Sequence, residues 1–184
     1  QAVADRLGHD HGFPLDLLDE ATVSEAEAKA YQQRYIKLLE ELAPRVARWP
    51  ANKTLDRIGE RRRPRLNLSV KVSAMYSQID PVDETGSVEQ IKYRLRPILQ
   101  SARAHDAFIT LDMEEYTTKR ITLRAFRELL TEPAFIDWPD VGIAMQAYLR
   151  DTEDDVDEMI EWAGKGAGPV PVRLVRGANG DVET

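Results

Sequence analysis

Four side chains of unlike chemistry sit on four stretches that alternate like β-strands. Lys71 lies in LNLSVKVS (66–73), Asp112 in FITLDM (108–113), Gln146 in VGIAMQAY (141–148) and Arg173 in VPVRLV (170–175). A strand sends successive side chains to opposite faces. Asn67, Ser69, Lys71 and Ser73 therefore share one face, and Leu66, Leu68, Val70 and Val72 share the other. By the same reckoning Thr110 goes with Asp112, Ala144 and Tyr148 go with Gln146, and Pro171 and Val175 go with Arg173. Two cations, a carboxylate and an amide, all toward the C-terminal ends of their strands, can surround a polar or charged ligand. The plainer arrangement satisfies them internally, with Lys71 paired to Asp112 and Arg173 capping a carbonyl. A buried charge persists only with a ligand or a partner, and convergence from four strands favours the ligand.

Other groups offer less. His9 and His11 flank Asp10 and have metal-ligand chemistry, but they stand in what reads as a terminal tail, so no metal site is expected. His105 follows a helical stretch and suits a C-cap. Asp112, Glu114 and Glu115 hint at the paired carboxylates of glycoside hydrolysis, yet alternation sends Glu115 to the opposite face and no second acid is evident. The basic run Lys53–Arg65, with Arg61-Arg62-Arg63, lacks interleaved aromatics and belongs to a chain with 25 basic against 32 acidic residues, net −7. It reads as a solvated linker, and no nucleic-acid partner is expected. The absence of cysteine excludes disulfide scaffolds, thiolate metal sites and cysteine nucleophiles. No apolar run approaches the ~20 residues of a membrane span, and the first residues lack the pattern of a signal peptide.

The elements that must position the four side chains follow from periodicity. An apolar run at 13–18 gives a first short strand. Ser24 with Glu27, and Ser87 with Gln90, form capping boxes ahead of helical stripes at Tyr31, Tyr35, Leu38, Leu39 and Leu42, and at Val88, Ile91, Leu95, Ile98, Leu99 and Ala102. Pro44 and Pro50 mark the end of the first helix, and Pro97 predicts a kink or restart in the second. Leu123, Phe126, Leu129 and Leu130 define a third helix, and Thr152 with Asp155 opens a fourth. The acidic run Asp151–Glu161 reads as a helix start that favours negative charge, followed by a solvated face.

Strand–helix alternation throughout implies a parallel sheet. Two parallel architectures compete, the open doubly wound sheet and the closed (β/α)8 barrel; no G-x-G-x-x-G follows any strand, so the dinucleotide fingerprint of the open sheet is missing. Helices cover the outside of such a barrel, so the apolar strand faces turn out and the polar set turns in. Four units between Leu15 and Val170 average about 39 residues, so eight would take roughly 310, against ~250 for a typical barrel. The expected fold is a (β/α)8 TIM-type barrel of which 13–184 hold about the first five strand–helix units, behind a tail at 1–12.

These stretches are also recognisable together. LDLLDEATVSEAEAKAYQQRY, NLSVKVSAMYSQIDP, FITLDMEEY, VGIAMQAYLRD and VRLVRGA resemble, in order and spacing, the catalytic barrel of the proline dehydrogenase family, as in bacterial bifunctional proline utilisation proteins. The resemblance implies non-covalent FAD, oxidation of L-proline to Δ1-pyrroline-5-carboxylate, and a quinone as electron acceptor. It assigns Lys71 to the substrate carboxylate, Asp112 to the substrate and flavin site, Gln146 to the flavin ring and Arg173 to flavin N5. Arg176, Gly177 and Ala178 would cradle cofactor and substrate. The family usually has Tyr-Trp where Asn179 and Gly180 stand. It also implies a cytoplasmic protein whose full-length form contacts the inner membrane. With only five strands, the isolated chain is expected to be inactive and to associate with itself or with the rest of a barrel. Two other functions stay open: a non-enzymatic barrel remnant that docks on another chain, and a different flavin barrel such as a folate reductase.

Overall fold

The computed structural model describes residues 15–17 and 22–176. The expected tail at 1–12, with His9, Asp10 and His11, lies outside the described residues, as do Gly177 and Ala178. In chain order the elements are β1 (Leu15–Asp16), α1 (Glu25–Val46), β2 (Arg57–Ile58), β3 (Arg61–Arg62), β4 (Leu66–Lys71), α2 (Glu84–Ala104), β5 (Ala107–Asp112), α3 (Lys119–Leu130), β6 (Val141–Gln146), α4 (Thr152–Trp162) and β7 (Val172–Val175). Five strands form one sheet in the order β1-β4-β5-β6-β7, with every neighbouring pair parallel. This is the strand–helix succession of the first five units of a (β/α)8 barrel.

The two faces divide as period two requires. Leu66, Leu68 and Val70 on β4, Ala107, Ile109 and Leu111 on β5, and Val141, Ile143 and Met145 on β6 are buried. They form one cluster with Ile91, Leu95, Ile98 and Leu99 of α2 and Ile121, Phe126, Leu129 and Leu130 of α3. Met75, Met113 and Met159 pack into the same core. Register fixes the inner face: Lys71 lies beside Asp112, Asp112 beside Ala144, and Ala144 beside Arg173.

Several local expectations need correcting. The capping box at Ser24 holds, with the Ser24 hydroxyl accepting from the Glu27 amide. α2 starts a turn before Ser87, capped by the Asp83 carboxylate on the Gly86 N–H at 3.0 Å, while Ser87 bonds the Asp80 backbone. α1 runs through Pro44 to Val46, and α2 is continuous past Pro97. A proline withholds one hydrogen bond, and burial of the flanking stripe outweighs that loss. His105 is the C-cap of α2 as expected.

The basic segment is solvated over most of its length, as expected, but it is more than a plain linker. Its β2–β3 hairpin is antiparallel, and each of three arginines meets a carboxylate. Arg61 pairs with Asp140, Arg62 with Asp106 at 2.6 Å, and Arg65 grips Asp56 with two nitrogens at 2.5 and 2.7 Å. Asp140 and Asp106 immediately precede β6 and β5, so the hairpin is fastened at the N-terminal feet of the strands.

Candidate active site

The polar side chains of the inner face stack in layers. Lowest, the Thr110 hydroxyl donates to Asn67 Oδ1 at 3.3 Å. Above it, Arg173 Nη2 lies 2.5 Å from Asp112 Oδ1, although β6 runs between their strands. The residue of β6 at that level is Ala144, whose methyl group leaves room for the pair to meet across the strand. Ser69 sits between the two charged groups. Its hydroxyl bonds Asp112 and accepts from Arg173 Nη1 at 3.4 Å. Among the described residues Lys71 pairs with Glu114 rather than Asp112, and Arg173 with Asp112 rather than a carbonyl. Lys71 Nζ reaches Glu114 Oε1 at 3.3 Å, in the layer above.

That upper layer is centred on Glu114. Continuing the register two residues past Lys71 and Asp112 brings Ser73 and Glu114 level with Gln146. The Glu114 carboxylate leans toward β4, where it takes Lys71 and the Ser73 hydroxyl. Its main-chain carbonyl faces β6 and accepts from Gln146 Nε2 at 2.8 Å. Thr152, at the start of α4, donates its hydroxyl to the Gln146 main-chain carbonyl at 2.5 Å.

Electrostatics set Asp112 apart. Burial pushes its carboxyl up to about 6, helped by the charges of Asp16 and Glu114, and the attraction of Arg173 only partly offsets this. Two buried atoms of the layers have no partner among the described residues, Gln146 Oε1 and Arg173 Nε. One is an acceptor and the other a donor, and native proteins seldom leave either orphaned. A cavity of about 540 Å³ lies below, between the hairpin and the strand feet, lined by Trp49, Leu55, Phe108, Thr110 and Arg173 among others. Arg173 thus spans from this cavity to the middle layer.

The structure therefore brings Lys71, Asp112, Gln146 and Arg173 onto one concave wall. Arg176 is exposed just past β7. Sequence reasoning passed over Ser69 and Thr152 as site residues and weighed Glu114 only as a carboxylate for glycoside hydrolysis. Ser69 and Glu114 share the inward parity of Lys71 and Asp112, which was a usable signal. Thr152 gave none, because its hydroxyl looks like a helix cap until the turn after β6 is seen.

A family model for proline dehydrogenase matches residues 1–184. The chain belongs to the proline dehydrogenase family. It is 27% identical over 171 residues to the bifunctional protein PutA of Escherichia coli, covering 93% of this chain and 12% of that protein. It is also 28% identical over 112 residues to proline dehydrogenase 2 of Bacillus subtilis, covering 61% of this chain and 31% of the relative. Among solved structures, proline utilization A from Bdellovibrio bacteriovorus, inactivated by N-propargylglycine, superposes with a TM-score of 0.93 at 40% identity, covering 96% of this chain and 18% of that one. Proline utilization A from Corynebacterium freiburgense superposes at 0.74 with 32% identity, covering 97% of this chain and 17% of that one. The chain thus spans about an eighth of the length of the PutA sequences it matches. The proline dehydrogenase family is flavin-dependent.

Proposed function

We propose that this chain supplies part of the catalytic domain of a dehydrogenase that binds FAD non-covalently and oxidises L-proline to Δ1-pyrroline-5-carboxylate, with a quinone as electron acceptor. Beside the family membership, the observation that carries this function is the orphaned pair on the concave wall. Gln146 Oε1 calls for an N–H, and Arg173 Nε calls for an acceptor. The edge of a flavin ring offers both. When bound, the flavin supplies the redox chemistry by taking up the hydride from the ring carbon beside nitrogen.

The chain's own residues do the rest. Lys71 presents a point charge to the substrate carboxylate, and Glu114 steadies the ammonium. Arg173, fixed by Asp112 and Ser69, holds a guanidinium where negative charge accumulates during hydride transfer. Gln146 accepts from a ring N–H and so orients the ring. Arg176 follows β7, and by the family resemblance Arg176, Gly177 and Ala178 would cradle cofactor and substrate. With a quinone acceptor the protein works in the cytoplasm against the inner membrane, which fractionation of cells checks.

The test uses the protein in the full length its gene encodes. Purified protein should carry a flavin spectrum that L-proline bleaches and a reduced folate does not. Arg173→Gln should lower kcat by about a hundred- to a thousandfold, the usual loss for one such donor. Lys71→Ala should raise KM for proline by about ten- to a hundredfold, with a smaller effect on kcat. A protein without flavin, or one bleached by the folate alone, would overturn this function.

A further inference from the structure

Gln146 is held at both its side chain and its main chain. Its side-chain nitrogen donates to the Glu114 carbonyl at 2.8 Å. Its main-chain carbonyl accepts the Thr152 hydroxyl at 2.5 Å and the Leu149 N–H at 3.5 Å. The next amide, Ala147 N–H, donates to the Val175 carbonyl at 2.9 Å. Rotating the side-chain amide by half a turn would set Oε1 against the Glu114 carbonyl, two acceptors face to face, and would lose the bond. The amide therefore has one orientation, and that orientation leaves Oε1 buried and, among the described residues, without a partner.

Thr152 is the unexpected member. As the first residue of α4 it is placed to compete for helix-capping bonds, yet it is 7% exposed and spends its hydroxyl on the strand. The cap position falls to Asp151, which makes no side-chain cap bond. Asp151 and Asp155 instead meet the buried ammonium of Lys119 at 2.5 and 2.6 Å. The turn between β6 and α4 is thus pinned from two sides, at Gln146 by Thr152 and at α3 by Lys119.

Resting on the flavin-dependent function proposed above, we infer that Thr152 is a positioning residue for the flavin. Its hydroxyl fixes the Gln146 main chain while the Glu114 carbonyl fixes the Gln146 amide, and together they present Oε1 as an acceptor for a ring N–H. Thr152 touches neither substrate nor cofactor and acts only through Gln146.

The experiment compares wild type with Thr152→Val, which keeps the shape and removes the hydroxyl, and with Thr152→Ser, which keeps the hydroxyl. The protein is used in its full natural length, stripped of flavin and titrated with FAD. Thr152→Val should weaken FAD binding by about tenfold and shift the midpoint potential of the bound flavin, and Thr152→Ser should return both to within about threefold of wild type. If Thr152→Val does not fold, Thr152→Ala set against Thr152→Ser removes the same hydroxyl. A lower melting temperature with FAD affinity and potential unchanged makes Thr152 a structural residue only and overturns the inference while flavin binding stands. Wild type that binds no FAD overturns the proposed function and this inference with it.

Discussion

Asp112 is a carboxylate whose ionisation costs the fold. Its pKa of about 6 in the folded chain exceeds the ordinary value near 4 because burial and the neighbouring Asp16 and Glu114 outweigh Arg173. The sign follows from proton counting. Between about pH 4 and 6 the folded state keeps a proton that the unfolded state has released, so stability falls as pH rises through that window. Above about pH 6 the full cost is present, roughly 2–3 kcal/mol at ~1.4 kcal/mol per unit. Asp112→Asn removes the titration. Its melting temperature relative to wild type should rise steadily from about pH 4 to pH 6.5 and then level. A difference that stays flat across that range would mean that Asp112 ionises normally. The same substitution frees Arg173 from its ionic partner, so it should also lower proline turnover.

At the scale of elements, the small inner residues of β6 decide whether neighbours can meet. Ala144 stands level with Asp112 and Arg173, and a leucine there would fill the space through which they pair. Ala144→Leu is expected to destabilise by about 1–3 kcal/mol and to lose most activity, read by denaturant melts and by proline-dependent dye reduction. Gly142, two residues earlier, has no room for a side chain: a Cβ would lie 2.6 Å from the Pro171 carbonyl and 3.0 Å from the Phe108 ring. Gly142→Ala should therefore push β7 outward and lower the melting temperature. The inward set was legible because a parallel sheet under helices forces apolar residues out, which leaves Lys71, Asp112, Gln146 and Arg173 nowhere else to point. Their pairing was not legible. It depends on which residues share a level, and strand register is a tertiary quantity that alternation alone does not give. The arginine run hid its hairpin for a related reason, since Arg61 finds Asp140 far along the chain. Thr152 opens α4 as its helix signal says, but nothing in the sequence tells that its hydroxyl answers to a strand.

For the molecule as a whole, the sheet has two unlike ends. β7 pairs only with β6 among the described residues, and its outward side chains Val172 and Leu174 are 38% and 59% exposed, whereas the matching positions of β4 to β6 are buried. An unpaired apolar edge invites another strand. With this edge open the chain is expected to self-associate, and Leu174→Lys should reduce the association. Light scattering behind a sizing column checks the first, and a monomer at every concentration would refute it. The arginine hairpin sits at the other extremity of the strands from Lys71, Glu114 and Gln146, and ion pairs hold much of it in place. Salt screens exposed pairs such as Arg62–Asp106 most effectively. High ionic strength should then open the arginine-rich floor to trypsin, while the hydrogen bonds that join Glu114, Gln146 and Thr152 at the roof feel screening far less: a protein nicked at one end and intact at the other.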